Sequence, residues 1–184
     1  MQESEVTLKA EVAQVAEDAI ILVLPSEKAY DGALVSLVGL LSRQNLSIVY
    51  VTLNKPAATL ARFFQKEKVS IENMHFVDCV TPLVQPDVQG NERVLYVNPN
   101  NLTGISIAVN EFVEALPKPT VVIFDSLATL LVYNSLPEVQ RFSIYLCNKI
   151  RLSQTRGFLL SVEAEMNPEF LRSLSKVCDK TLRV

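Results

Sequence analysis

Apolar residues in this chain come in short blocks, and the stretches between the blocks carry helical spacing. The blocks IILVL (20–24), SIVYVTL (47–53), TVVIF (120–124) and GFLLSV (157–162) are rich in β-branched residues and show no clean alternation of apolar and polar positions. That pattern predicts strands buried on both faces. MHFVD (74–78), RVLYV (93–97) and KTLRV (180–184) are shorter candidates of the same kind. Between them, Leu34, Val35, Leu37, Val38, Leu40 and Leu41 give a first helix a wide apolar face. A second helix begins at Pro56, a good first-turn residue, and presents Leu60, Phe63 and Phe64. A third, with Thr103 as N-cap, places Ile105, Ala108, Val109, Phe112 and Leu116 on one side before Pro117 ends it. Ser135 and Glu138 have capping-box spacing ahead of Val139, Phe142, Leu146 and Ile150, and Asn167-Pro168-Glu169 opens a last helix in the same manner.

Strands that alternate with helices imply a mostly parallel sheet covered on both faces, an α/β domain of three layers. The 184 residues suit one domain, read here as 1–184 with its core in 19–184. Residues 1–18 precede the first core strand and combine Val6, Leu8, Val12 and Val15 with interspersed charge. They read as an N-terminal arm or edge element: an edge strand, a helix packed on the domain, or an arm that docks a partner. The irregular stretch 79–93, with two prolines and a glycine, reads as a surface excursion or the join to an edge strand.

Composition narrows the class. With 49% apolar and 20% charged residues the chain is globular rather than disordered. A net charge of -3 supplies no broad basic field for a phosphate backbone, which argues against nucleic acid as a partner. Cys79, Cys147 and Cys178 are odd in number, far apart and set in apolar segments, so neither a disulfide framework nor a zinc motif is expected, and no feature marks a catalytic thiol. His75 is the single histidine, read as a strand residue near a sheet end, so a histidine metal site or a Ser-His-Asp triad is not expected. The acidic N-terminus and the lack of an apolar run near the roughly 18 residues of a membrane span give a cytoplasmic expectation, with no membrane partner.

The loop between the first strand and first helix stands where strand–loop–helix units hold phosphate. Such a loop needs glycines that turn consecutive N–H groups toward the anion, a lysine for the outer phosphates, and a Ser or Thr hydroxyl for magnesium. This chain offers Pro25, Ser26, Glu27, Lys28, Ala29, Tyr30, Asp31 and Gly32. A carboxylate close to a triphosphate there would cost on the order of a kcal/mol or more. Asp31 reads as the N-cap of a helix beginning near Gly32, and Lys28 as a solvent residue or a displaced phosphate-binding lysine. Farther on, the strand in PTVVIFDSLATLL (119–131) ends in Asp125 and Ser126. An acid at the carboxyl end of a buried parallel strand is where a magnesium-organising aspartate sits in nucleotide hydrolases; the alternative is that both residues cap the following turn.

In order and spacing, IVYVTLNKPAATLARFFQKEKV, MHFVDCVT, TVVIFDSLATLL and GFLLSVEAEMNPEFLRSLSKVCDKTLRV resemble the RecA-like ATPases, in particular the KaiC and RadA-like branch common in archaea, over roughly residues 17–184. In that branch a VLYVSLEEP-like strand follows the phosphate-loop helix, and VVIDSL holds the second nucleotide motif. The resemblance implies a three-layer RecA-like P-loop NTPase fold with a mostly parallel sheet and helices on both faces. The departures fall where catalysis would be. Ser26, Glu27, Lys28, Asp31 and Gly32 are degenerate phosphate-loop positions. Asp125 and Ser126 are the Walker B-like pair, and VYVTLNKP ends in Asn54 and Lys55 where active members tend to carry acids. Asn54 cannot act as a base. The expectation is a noncatalytic domain, a pseudo-ATPase with no catalytic residue, metal or cofactor and without ATP binding, which works through a protein partner or as a homo-oligomer. Arg151 and Arg156 read as solvated cations, or as residues that reach a neighbouring subunit, since RecA-like domains often associate head to tail. Rival readings are a nucleotide- or anion-binding switch built on Ser26, Lys28 and Asp125, an unrelated doubly wound enzyme, and a nucleic-acid-binding recombinase paralogue.

Overall fold

The computed structural model describes residues 12, 16, 18–44 and 46–184. Its strands are β1 (Ile20–Leu24), β2 (Ser47–Thr52), β3 (Met74–Asp78), β4 (Val94–Tyr96), β5 (Thr120–Asp125), β6 (Arg156–Leu160) and β7 (Lys180–Arg183). Its helices are α1 (Tyr30–Ser42), α2 (Ala57–Lys66), α3 (Leu102–Ala115), α4 (Leu136–Leu152) and α5 (Pro168–Ser175). Short 3-10 turns lie at Glu27–Ala29, Thr81–Leu83, Ala128–Val132 and Glu163–Glu165. All seven strands pair in parallel, in the order β4-β3-β2-β5-β6-β1-β7. Each expected strand is present, with ends that move by a residue or two.

Successive strand residues feed two separate cores. Ile20, Leu22, Leu24, Val49, Val51, Val122 and Phe124 join one cluster with α3, α4 and α5. Ile21, Val23, Ile48, Tyr50, Val121 and Ile123 join another with α1 and α2. Helices on both sides bury both faces of β1, β2 and β5, which is why those strand sequences lack alternation. Tyr50 packs between Phe64 and Phe76, with ring centroids 6.0 and 5.8 Å away. His75 lies in β3 as expected, its ring 5.3 Å from Phe112.

Helix starts differ from the sequence reading. α3 is capped by Asn101 rather than Thr103: the Asn101 side chain accepts the Gly104 N–H at 2.9 Å. A Cβ at residue 104 would fall 2.5 Å from Asn101 Nδ2, so the cap and the glycine require each other. Pro56 is the N-cap of α2 and not its first residue. At α4 the Glu138 carboxylate accepts from the Ser135 N–H at 2.9 Å and hydroxyl at 2.6 Å, as the capping-box spacing implies. Asn167 caps α5 through the Glu169 N–H at 2.9 Å.

Arg151 is not freely solvated. It donates to Val177 O at 3.1 Å and Asp179 Oδ2 at 2.9 Å. Arg156 bonds Ala16 O at 3.2 Å. Of the N-terminal arm, only Val12, Ala16 and Asp18 fall among the described residues, and Val12 is buried against the α1–α2 side. Among the described residues no helix is long and apolar enough to cross a membrane.

Candidate functional site at the carboxyl edge of the sheet

Because every strand runs the same way, the carboxyl ends of β1, β2, β5 and β6 share one edge. β5 does not touch β1. β6 lies between them, and Asp125 pairs in register with Thr52 on one side and Leu160 on the other. This edge gathers the loop after β1, the end of β2 and the end of β5 around one cleft.

The loop after β1 is closed by backbone hydrogen bonds of its own chain. Ser26 donates its N–H to Val184 O at 2.9 Å, and the Glu27–Ala29 turn closes through the Ala29 N–H to Ser26 O at 3.0 Å. That turn runs straight into α1, whose N-cap is Ala29. Asp31 is therefore not the N-cap expected of it, because the helix begins before it and leaves it in the first turn. There its charge still complements the helix dipole, and it forms an ion pair with Lys55 Nζ at 3.4 Å. Gly32 has no positive φ, and a Cβ there would meet nothing within 4 Å, so no close backbone approach calls for a glycine. Ser26, Glu27, Lys28, Asp31 and Gly32 are all exposed.

The end of β5 is sealed. Asp125 is 2% exposed. Its Oδ1 accepts the Tyr30 hydroxyl and, at 3.3 Å, Asn54 Nδ2; its Oδ2 accepts the Tyr50 hydroxyl at 2.5 Å. Burial pushes the Asp125 carboxyl up to about 7. Burial, with the Asp31 charge adding to it, holds the Tyr50 phenol well above its usual value. Neither Asp125 nor Ser126 uses its side chain to cap the following turn. The Ser126 hydroxyl lies 3.1 Å from the buried Ser161 hydroxyl, and the peptide between Asp125 and Ser126 is cis. Asn54, at the end of β2, accepts the Thr129 hydroxyl at 2.5 Å, and Lys55 lies 5.4 Å from the centre of the Phe63 ring.

The cleft has a volume of about 350 Å³ and is lined by Glu27, Tyr30, Asp31, Asn54, Thr129, Val162 and Glu165. Of the degenerate loop positions it takes in Glu27 and Asp31, and leaves out Ser26, Lys28 and Gly32. Ser26, Lys28 and Asp125 do not line this cleft. No group of three or more His, Cys, Asp or Glu side chains among the described residues is placed to hold a metal ion. Sequence reasoning passed over Tyr30, Tyr50, Thr129 and Glu165. The one available signal was Tyr50, a phenol inside an otherwise apolar strand block, because a buried tyrosine hydroxyl needs a partner.

The sequence model of DUF7504, a family of unknown function, matches residues 19–184. The chain belongs to DUF7504. No curated protein matches this DUF7504 chain. Among solved structures it is similar to the flagellar accessory protein FlaH from Methanocaldococcus jannaschii, with a TM-score of 0.62 and 14% identity, over 92% of this chain and 72% of that one. It is similar to the uncharacterized protein PH0321 from Pyrococcus horikoshii, solved in complex with an unknown peptide, with a TM-score of 0.73 and 14% identity, over 97% of this chain and 82% of that one. The KaiC-like protein PH0186 from Pyrococcus horikoshii gives a TM-score of 0.62 and 11% identity, over 91% and 71%. At these identities the likeness is one of fold, and the fold of the DUF7504 chain is the RecA-like, KaiC-like α/β fold.

Proposed function

We propose that this DUF7504 chain is a noncatalytic RecA-like domain, a pseudo-ATPase that serves as a protein-interaction or regulatory module. The observation behind this reading is the burial of Asp125 among the chain's own donors. Both of its oxygens accept hydrogen bonds from Tyr30, Asn54 and Tyr50, so the position of a magnesium-organising carboxylate is spent on the chain's own donors. Electrostatics argue the same way. Glu27, Asp31 and Glu165 line the cleft, no lysine or arginine among the described residues lines it, and the nearby Lys55 is engaged by Asp31. Each carboxylate within about 4 Å of a phosphate charge is unfavourable by about 1 to 4 kcal/mol, depending on the local dielectric. A nucleoside triphosphate with magnesium does not fit these residues, and no chemical step is assigned to one.

The partner in this reading is a protein or a second copy of the chain, rather than nucleic acid or ATP. Two observations support it. PH0321, which has the same fold, was crystallised with a peptide. On α4, Ile144, Tyr145 and Leu152 are exposed, Leu152 at 85%, and large apolar side chains grouped on one side of a helix suit a protein contact.

The test is thermal unfolding of the purified chain with and without millimolar ATP and magnesium, repeated with ADP and GTP. The expected result is an unchanged midpoint. A saturable rise would overturn the nonbinding reading, because a ligand held only by the native state raises stability by mass action. It would favour a nucleotide-binding switch instead.

A further inference from the structure

A cleft that disfavours phosphate favours the opposite charge, and the acids of the carboxyl edge are not equally committed. Asp31 is paired with Lys55 at 3.4 Å. Glu163, in the turn after β6, is paired with Arg183 at 2.9 Å and does not line the cleft. Glu27 and Glu165 do line it, and they pair with no cation among the described residues. They come from the turns after β1 and β6, two strands that lie side by side. Tyr30, Asn54 and Thr129 add an aromatic ring, an amide and a hydroxyl to the lining. These acids do not converge as a metal site would, since no group of three or more His, Cys, Asp or Glu among the described residues is placed to hold one ion. A guanidinium or ammonium on a flexible stem carries several donors and can serve acceptors that lie apart. At about 350 Å³ the cleft is at the small end of ligand sites and suits side chains rather than a large ligand.

A separate feature of the same edge points to a protein. Val84 is 78% exposed and Val132 75%, each followed or preceded in sequence by another exposed apolar residue, Tyr133 and Leu83. Val132 closes the turn after β5, whose Thr129 lines the cleft, and Val84 follows the turn after β3. Only β2 separates β3 from β5, so the two turns start about 10 Å apart, two strand spacings, on the edge that carries the cleft. Large apolar side chains left in water beside a charged cleft suit a partner whose own apolar residues adjoin its charge.

We propose that the carboxyl-edge cleft docks a lysine or arginine side chain of a protein partner, with an apolar residue of the same segment resting on the rim formed by Val84 and Val132. The inference rests on the interaction-module reading and names the partner's chemistry: a short segment in which basic and large apolar residues alternate. Charge complementarity selects the cation, and the apolar rim selects a polypeptide over a free polyamine.

The probe is a fluorescein-labelled peptide of alternating arginine and leucine, titrated with the purified chain and read by anisotropy. Alternating glutamate and leucine, and alternating arginine and serine, are the controls. The arginine–leucine peptide should bind saturably, the arginine–serine peptide more weakly, and the glutamate–leucine peptide not at all. Binding should weaken as sodium chloride rises from about 50 mM to about 500 mM, because contacts between exposed charges are screened. The double variant Glu27→Gln with Glu165→Gln should weaken it about three- to ten-fold. Val84→Ser with Val132→Ser should also weaken it. All four positions are exposed, so the unfolding midpoint of either variant should match that of the wild type. Glu72→Gln, at an exposed acid just before β3 on the opposite edge, should leave binding unchanged. Absence of binding, or binding that survives the Glu27→Gln and Glu165→Gln changes, would overturn the proposal. Equal affinity for the serine and leucine peptides would overturn it in favour of a site for free polyamines. None of these results alters the nucleotide titration, in which a saturable rise would overturn the nonbinding reading by itself, so the two failures are told apart.

Discussion

A strand-end carboxylate serves a metal best when it is ionised and open to the cleft, and Asp125 is buried with both oxygens accepting from Tyr30, Asn54 and Tyr50. Raising its pKa to about 7 also ties it to stability. An unfolded aspartate titrates near 4, so between about pH 4 and pH 7 the unfolded chain has released a proton that the folded chain retains. The sign follows from linkage: stability falls as pH rises through that window and levels above it, with a slope of at most about 1.4 kcal/mol per pH unit from this one group. Urea unfolding from pH 4 to 8 should show that fall in the wild type and a flatter profile in Asp125→Asn, whose amide can still exchange hydrogen bonds with the two tyrosines. Equal slopes would mean that Asp125 is ionised in the native state across the range. Gly32 offers a second residue-scale test. With open space around its Cβ position and a place in the first turn of α1, Gly32→Ala should stabilise the chain by about 0.5 to 1 kcal/mol, measured by chemical unfolding. A phosphate cradle would penalise the same change.

Helix ends in this molecule are secured partly by residues far away in sequence. α2 has no side-chain bond from its own N-cap. Its first N–H, from Ala57, is taken instead at 2.8 Å by Oδ2 of Asp78, at the end of β3. Asp78 also accepts the Val80 and Thr81 N–H groups at 2.8 and 2.9 Å and the Thr81 hydroxyl at 2.6 Å, and it is 1% exposed. Asp78→Ala should cost more than about 2 kcal/mol in urea unfolding, because it strands several buried donors. Asn101→Ala, which removes one local cap, should cost about 1 kcal/mol. The contrast explains what could be read at this scale. Asn101, Ser135 and Asn167 cap within a few residues of their own helices, so their type and spacing could be read, with Thr103 a near miss. Asp78 caps across the sheet, and nothing in the spacing between residues 57 and 78 announces it.

At the scale of the molecule, parallel strands put every functional loop on one edge, and this chain has filled that edge with its own acids, phenols and amide. If binding has moved to the surface, the solvent side of α4 is the place to disturb. Tyr145→Asp, at a position 55% exposed, should leave the unfolding midpoint nearly unchanged and weaken self-association in light scattering or capture of a protein partner. Unaltered association would place the contact elsewhere. The strands and their two-sided burial were legible because β-branched blocks and helical spacing are local signals, whereas the order of the strands across the sheet was not, since it is set by which distant strands pair. Asp125 as the end of a buried strand was legible from those same local signals. Its partners were not: Tyr30, Tyr50 and Asn54 reach it from another helix, another strand and another loop. The sequence by itself determined the strand and helix segments, and through their alternation the three layers and the mostly parallel sheet, since hydrophobic spacing is set by neighbours along the chain. Only the tertiary structure decided that Asp31 pairs with Lys55, that the Asp125 oxygens accept from Tyr30, Asn54 and Tyr50, and that Asp78 caps α2 from across the sheet. Hydrogen bonds and ion pairs act over a few ångströms of space, and the fold alone sets which distant residues come within that range.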